Sequence, residues 1–356
     1  MRANVVVVND WEELDSLKQK VAGKIVLFNP KWHDYDTSVD YRANGASRAA
    51  KYGALAALVR SVTPQSIESV HAGAMVYAEG SPKIPTAAIT TEDADMFARM
   101  QKRGQTITVE LDLQSFQVAG TNSNNLVFEL RGTTFPEQVI LMGGHIDSWD
   151  TGSQTGANDD GGGFMTVYEA LRLLKNNGFR PKRTLRFIAW SGEEFGDAKN
   201  GAHQYVSRHE SEIEKHIAVF ESDEGSRKLI GFGFSGNATA RQLLNDISSK
   251  YLSLINCNFI GDDGEEADSA DLFERGVPML KNIVEDTVDQ QFYFTYHHTR
   301  GDSMSIMNPD QMDSNVLGIA VLTYILADLE NTIGRTWSIR VYIPYQPLQP
   351  KSMSMS

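Results

Sequence analysis

Three short apolar runs, Val139–Met142, Leu185–Trp190 and Ile217–Glu221, each lead directly into His or acidic residues: His145, then Glu193-Glu194, then Asp223. Runs of this length, bounded by glycine or polar residues, read as buried strands. After the first, Phe164, Val167, Tyr168, Leu171 and Leu174 recur at helical spacing, so the Gly161–Gly163 run opens an amphipathic helix. Strand, helix and strand in that order predict an open α/β sheet, and such sheets bind ligands beyond the carboxyl ends of their strands. Glycines ahead of the helix let backbone pack close to that edge.

The polar residues at these ends form a chemical set. Asp159, in Asn158-Asp159-Asp160-Gly161-Gly162-Gly163, and His298, in His297-His298, join His145, Glu194 and Asp223 to make five nitrogen and carboxylate donors. A hydrolytic site with two zinc ions needs such donors, one carboxylate bridging metals about 3.5–4 Å apart. Each residue alone has a plainer reading. A single His is commonly a surface or core residue, Glu193-Glu194 suits a helix first turn, Asp159-Asp160 before glycines suits a turn, and Asp223 an acidic strand exit. Their joint order at strand and loop ends favours the metal.

Several stretches carry a resemblance: Gly143-Gly144-His145-Ile146-Asp147-Ser148-Trp149-Asp150, Asp159-Asp160-Gly161-Gly162-Gly163, Arg180-Pro181-Lys182-Arg183-Thr184-Leu185-Arg186, Glu193-Glu194, Glu221-Ser222-Asp223, Gly276-Val277-Pro278 and His297-His298-Thr299-Arg300-Gly301-Asp302. Together they are similar to the two-zinc exopeptidases of metallopeptidase family 28, over Val5 to Glu330. The resemblance implies that His145 and Asp223 hold one zinc, Glu194 and His298 the other, and Asp159 bridges them. It implies Glu193 as general base, Asp147 orienting the His145 imidazole, and substrate-side roles for Asp268, Tyr296 and His297. Asp302 would orient His298 or shape its loop. The implied substrates are dipeptides or small peptides with free termini, and the implied fold is a mixed-sheet, phosphorylase/hydrolase-like catalytic domain over residues 121–331. A homodimer and a secreted or endolysosomal location also follow from the family. Aminopeptidase activity in the same family, a glutaminyl-cyclase-like transferase with one zinc, a non-catalytic binding relative and an inactive truncated homologue are the alternatives. The binding relative should have lost ligands, and all five are present.

Two departures stand out. The loop through Gly152-Ser153-Gln154-Thr155-Gly156 is expected to be longer than in relatives, and the family carries an upstream signal, propeptide and first helices, whereas this sequence opens at Met1-Arg2-Ala3-Asn4 directly into a strand. A truncated or fragmentary chain with uncovered apolar surface on its sheet is therefore expected.

Residues 1–120 read differently. Asn4–Val8 and Lys24–Phe28 are strands, Asp10-Trp11-Glu12-Glu13 caps a helix, and a second helix is expected through Tyr41–Tyr52. Leu55–Val59, Ile84–Ile89 and Thr106–Leu113 are extended. This order resembles a smaller α+β protease-associated domain, without a metal cluster; His33 and His71 read as ordinary polar residues. At the other end, Gln311–Glu330 reads as the last helix, and residues 332–356 as a poorly ordered tail.

Composition sets outer bounds. At 356 residues two domains are expected, and 41% hydrophobic residues suffice for real cores. A formal net charge of −13 argues against nucleic-acid partners, no apolar run approaches a membrane span, and the lone Cys257 excludes an intrachain disulfide. The sequon Asn237-Ala238-Thr239 is consistent with secretion.

Overall fold

Side chains along the first strands alternate between two buried clusters, Val5, Val7, Ile25, Leu27 and Leu58 on one side and Val8, Val26, Phe28, Ala57 and Val59 on the other. Strands buried on both faces need helices on both faces. The computed structural model, which describes residues 1–336 apart from 117, 152–154, 197–199, 224, 226, 265–266 and 287–290, supplies them. Strands β1 (Arg2–Val8), β2 (Ile25–Phe28), β3 (Ala56–Arg60), β4 (Thr86–Ile89) and β5 (Thr108–Glu110) form a sheet in the order β4-β3-β2-β1-β5. The first four are parallel and β5 runs antiparallel to β1. Helices α1 (Trp11–Leu17), α2 (Tyr35–Ala50) and α3 (Thr91–Lys102) cover this sheet.

This unit is a largely parallel sheet with helices on both faces, in which β3 and β4 are joined without a helix, and it holds one helix beyond those expected. The overlooked element is α3, whose short stripe of Ala94, Phe97 and Ala98 is packed against the sheet but masked in sequence by Glu92, Asp93, Arg99 and Lys102. Helix α2 also starts earlier than expected, because the Asp34 carboxylate accepts the Thr37 N–H at 2.7 Å and caps it there.

The second sheet contains β6 (Leu126–Leu130), β7 (Phe135–His145), β8 (Arg183–Trp190), β9 (His216–Glu221), β10 (Leu229–Ser235), β11 (Phe259–Gly261) and β12 (Met279–Val284), in the order β11-β10-β12-β9-β7-β8-β6. It is mixed, as expected. Its helices are α4 (Gly162–Asn176), α5 (Gly201–Arg208), α6 (Ala238–Lys250), α7 (Ala270–Glu274), α8 (Gln291–Tyr296) and α9 (Pro309–Asp328). Val167, Leu171 and Leu174 of α4, with Ile319, Leu322 and Leu326 of α9, pack on Ile140, Met142, Leu185 and Phe187. Tyr205, Val206 and Leu272 cover the opposite face through Leu141, Ile188, Trp190 and Val219. Edge strand β6 leaves Leu126, Val127 and Phe128 half-exposed.

The central strands β9, β7 and β8 are parallel neighbours, with Gly143 beside Glu221 and His145 beside Trp190. Their carboxyl ends thus meet at one edge. Two further features bear on expectations. Ile333 is buried and Arg335 donates to the carbonyls of Ile213, His216 and Arg275, so residues 332–336 are held to the body; residues 337–356, like loop residues Gly152–Gln154, lie outside the described residues. Asn237 caps α6 through Oδ1 and spends its amide N–H groups on the carbonyls of Ile333 and Arg335. The sequon asparagine is thus a helix cap that also ties the chain after α9 to the start of α6.

Candidate metal centre

His145 is the last residue of β7, and its ring is buried. Its Nδ1–H donates to the carbonyl oxygen of Asp147 at 2.9 Å; a carbonyl only accepts, so the neutral ring has its lone pair on Nε2, while burial, outweighed by Asp223 and Asp159, leaves the metal-free imidazole readily protonated. The Asp147 carboxylate, expected to orient that ring, lies 3.8 Å from Nδ1. It is engaged instead by the turn after β8, where it accepts the N–H groups of Gly192, Glu193 and Glu194 at 2.7, 3.2 and 3.3 Å. Asp147 thus orients His145 with its backbone, and aims Glu193 and Glu194 with its side chain.

Asp159 and Asp160 occupy an irregular turn, Ala157–Gly161, ahead of α4. The Asp302 carboxylate fixes that turn by accepting the N–H groups of Asn158 and Asp159 at 2.7 and 3.1 Å. Asp160 turns the other way, its Oδ2 accepting the backbone N–H of His145 at 3.0 Å. A Cβ on Gly144 would lie 2.2 Å from Asp160 Oδ2, and one on Gly163 1.8 Å from Oδ1. The glycines flanking both motifs therefore make room for one buried carboxylate.

The five expected ligands converge. His145 Nε2 lies 3.3 Å from Asp159 Oδ1 and 3.3 Å from Asp223 Oδ1. His298 Nε2 lies 2.9 Å from Glu194 Oε2 and 3.5 Å from Asp159 Oδ2. Asp159 therefore turns one oxygen to each histidine. A tetrahedral zinc with bonds of about 2.0–2.1 Å separates its ligand atoms by about 3.3–3.4 Å, which matches the His145 set. Asp159 Oδ2, Glu194 Oε1 and Asp223 Oδ1 are buried with no hydrogen-bond partner, and His145 Nε2 faces two carboxylate oxygens, an arrangement that calls for a positive charge among them. The donor set fits zinc.

Electrostatics give the same account. Burial, opposed by His145 and reinforced by Glu193, pushes Asp223 up to about 7; burial also lifts Glu221 to about 7 and Asp160 and Asp268 well above the carboxylate range. Asp159 is the exception: burial would raise it, but the surrounding imidazoles, His145 through a hydrogen bond and His298 through its charge, hold it low. Glu193, whose Oε2 is 4.0 Å from His145 Nε2, is raised to about 7 by burial, against His145 and with Glu194.

The residues expected to meet substrate separate. His297 stacks on His298 with centroids 3.6 Å apart, its Nε2 3.6 Å from Asp159 Oδ2. Tyr296 packs on Phe292 with the rings tilted at 60°. The phenol turned to the centre is Tyr293, one helical turn before His297, its ring 5.2 Å from the His297 ring. Burial first, then Asp159 and Asp223, keeps it firmly protonated. Spacing of four before a ligand-flanking histidine was the available signal. Asp268 is buried, both oxygens unpartnered, while Glu221 accepts the N–H groups of Asp268 and Ser269.

Residues 125–323 match the profile of Peptidase family M28. Carboxypeptidase Q from Homo sapiens is 41% identical over 334 residues, covering 94% of this chain and 69% of that protein. Carboxypeptidase Q from Rattus norvegicus is 42% identical over 336 residues with the same coverage, 94% and 69%. Among solved structures, a Peptidase M28 precursor from Shewanella amazonensis SB2B superposes with a TM-score of 0.85 at 28% identity, over 97% of this chain and 76% of that one.

Proposed function

This chain belongs to peptidase family M28 and is a zinc-dependent exopeptidase, and we propose that His145 and Asp223 hold one zinc ion, Glu194 and His298 the other, with Asp159 shared between them. The observation that carries this assignment is Asp159, whose two oxygens face different histidines at 3.3 and 3.5 Å. Two zinc ions held there supply Lewis acidity, acidifying water and polarising the scissile carbonyl.

Glu193 is the general base. Its carboxylate, 4.0 Å from His145 Nε2, is placed to take a proton from the attacking water and return it to the leaving amine as the C–N bond breaks. Asp147 holds its turn in place, Tyr293 donates to the oxygen that gains charge at the attacked carbon, and His297, kept neutral by burial and by His298, lies beside the substrate. Asp268, which burial and then Glu221 and Glu193 push well above the carboxylate range, keeps its assignment to the substrate side.

Substrates are dipeptides or small peptides with free termini. Residues 1–120 act as a protease-associated domain beside a catalytic domain of residues 121–331. A secreted or endolysosomal location and a homodimeric assembly belong to the same proposal and rest on the family resemblance alone. Among the described residues no helix is long and apolar enough to cross a membrane.

Glu193→Gln tests the mechanism. Dipeptide turnover should fall by about 10²–10⁴-fold with both zinc ions retained, and activity within a few-fold of the parent would refute the base. Dipeptides blocked at the amino or at the carboxyl end separate aminopeptidase from carboxypeptidase action.

A further inference from the structure

We propose that the first sheet unit forms part of the metal centre: Arg42, acting through the carbonyl of Ala72, is a positioning residue for His298. The inference rests on the assignment of His298 as a zinc ligand.

Ala72 lies in the irregular stretch between β3 and β4, which crosses from the first unit to the loop after α8. It is tied to His298 in both directions. The Ala72 N–H donates to the His298 carbonyl at 2.9 Å, and His298 Nδ1–H donates to the Ala72 carbonyl at 3.2 Å. The second bond selects the tautomer, since a carbonyl cannot donate, and leaves Nε2 facing Glu194 and Asp159. A partner on the far nitrogen fixes the orientation of a metal-binding imidazole and raises its basicity. For His145 that partner comes from its own unit, at Asp147; for His298 it comes from the other.

Arg42, on α2, holds the Ala72 carbonyl. Its Nη1 donates to Ala72 O at 2.9 Å, its Nε to Ala74 O at 3.3 Å, and its Nη2 to the Tyr35 hydroxyl at 3.1 Å. Gly73 makes this possible: its φ is +143°, and a Cβ there would lie 2.2 Å from Arg42 Cζ, so only glycine lets the guanidinium lie flat on the loop. The docking is shared by α2, where Tyr35 stacks on Phe294 at 4.7 Å and meets the His297 ring edge-on at 5.1 Å. His298 itself sits at φ +59°. A non-glycine residue there is uncommon and persists where neighbours over-determine it; the two-way tie to Ala72 is such a neighbour.

The test is zinc stoichiometry and affinity, read by native mass spectrometry during chelator titration, on full-length protein. The parent should hold two zinc ions and His298→Ala one, which calibrates the assay. Arg42→Ala should weaken the same single zinc by about tenfold or more and leave the other unchanged. Gly73→Ala, which displaces the guanidinium without removing charge, should reproduce the defect, and Arg42→Lys should recover part of it. If Arg42→Ala does not fold, Gly73→Ala and Arg42→Lys decide. Parent-like affinity for both ions in Gly73→Ala and the Arg42 variants, or equal weakening of both, overturns the relay. Retention of both ions in His298→Ala overturns the ligand assignment itself, and the relay with it.

Discussion

At the carboxyl edge of the first sheet the largely buried guanidinium of Arg60 is fully partnered. Arg60 meets Asp95 at 2.6 Å and also donates to Asn29 and to the carbonyl of Thr91, while the Ser61 and Thr63 hydroxyls donate to the carbonyls of Ile89 and Gln65. At the same edge of the second sheet, Asp159, Asp160, Glu194, Asp223 and Asp268 each keep a buried carboxyl oxygen without a hydrogen bond. The first unit's own buried unpartnered groups, on Ser38, Ser69 and His71, belong to uncharged side chains. Polarity at strand ends is thus common to both units. Unsatisfied buried charge is what distinguishes them, and because it costs stability, a fold retains it where a ligand completes it.

The strongest way to break this contrast is to remove the shared carboxylate. Asp159→Ala should lose both zinc ions and drop dipeptide hydrolysis to background, because a shared carboxylate offsets the repulsion between two close dications. Asp160→Ala should be milder, disturbing His145 through its backbone N–H alone. Native mass spectra showing two zinc ions in the Asp159 variant and none in the Asp160 variant would move the bridge by one residue.

Next in size is the pH response of the metal-free protein. Glu193, Glu221 and Asp223 have folded-state positions near 7, against 4.5, 4.5 and 3.8 for the free groups. Groups raised on folding stabilise fully below their unfolded values and lose that contribution as pH rises through the folded ones. The chelated protein should therefore melt at progressively lower temperature as pH rises from about 4 to about 7, and zinc should erase the trend. A metal-free melting profile flat or rising over that window would contradict the assigned burial of charge.

Turnover supplies a third probe. Glu193 must be unprotonated to act, so kcat/KM should fall about tenfold per pH unit on the acid side. Zinc's positive charge pulls the base downward, so the midpoint should lie at or below the value near 7 of the metal-free site. A midpoint well above that would exclude Glu193 as the base. The smallest effect belongs to the first sheet: Arg60→Ala breaks a partly exposed pair and should cost up to about 1 kcal/mol in denaturant unfolding, with zinc content unchanged. Loss of zinc in that variant would show the two edges are coupled.

Much was legible without the structure. The strands β7, β8 and β9 and the helix after Gly161–Gly163 follow from residue type and period, which are local properties of the chain, and His145, Asp159, Glu194, Asp223 and His298 stood out by type and order, with their pairing implied by the resemblance. Helix α3 was not legible, since a short amphipathic stripe among many charges carries little periodic signal. Nor was the placement of the Tyr293 ring 5.2 Å from that of His297, which turns on where α8 points its side chains.

Residue chemistry along the chain determined which groups could bind metal and at which strand ends they would lie. Only the packed molecule decided which atoms do the work: that Asp147 offers its carbonyl to His145 and its carboxylate to the Glu193 turn, that Asn237 caps a helix, and that Ala72 and Arg42 of one unit hold His298 of the other. Hydrogen bonds depend on separations of a few tenths of an ångström and on direction, and between segments remote in sequence those are set when the two sheets dock and not before.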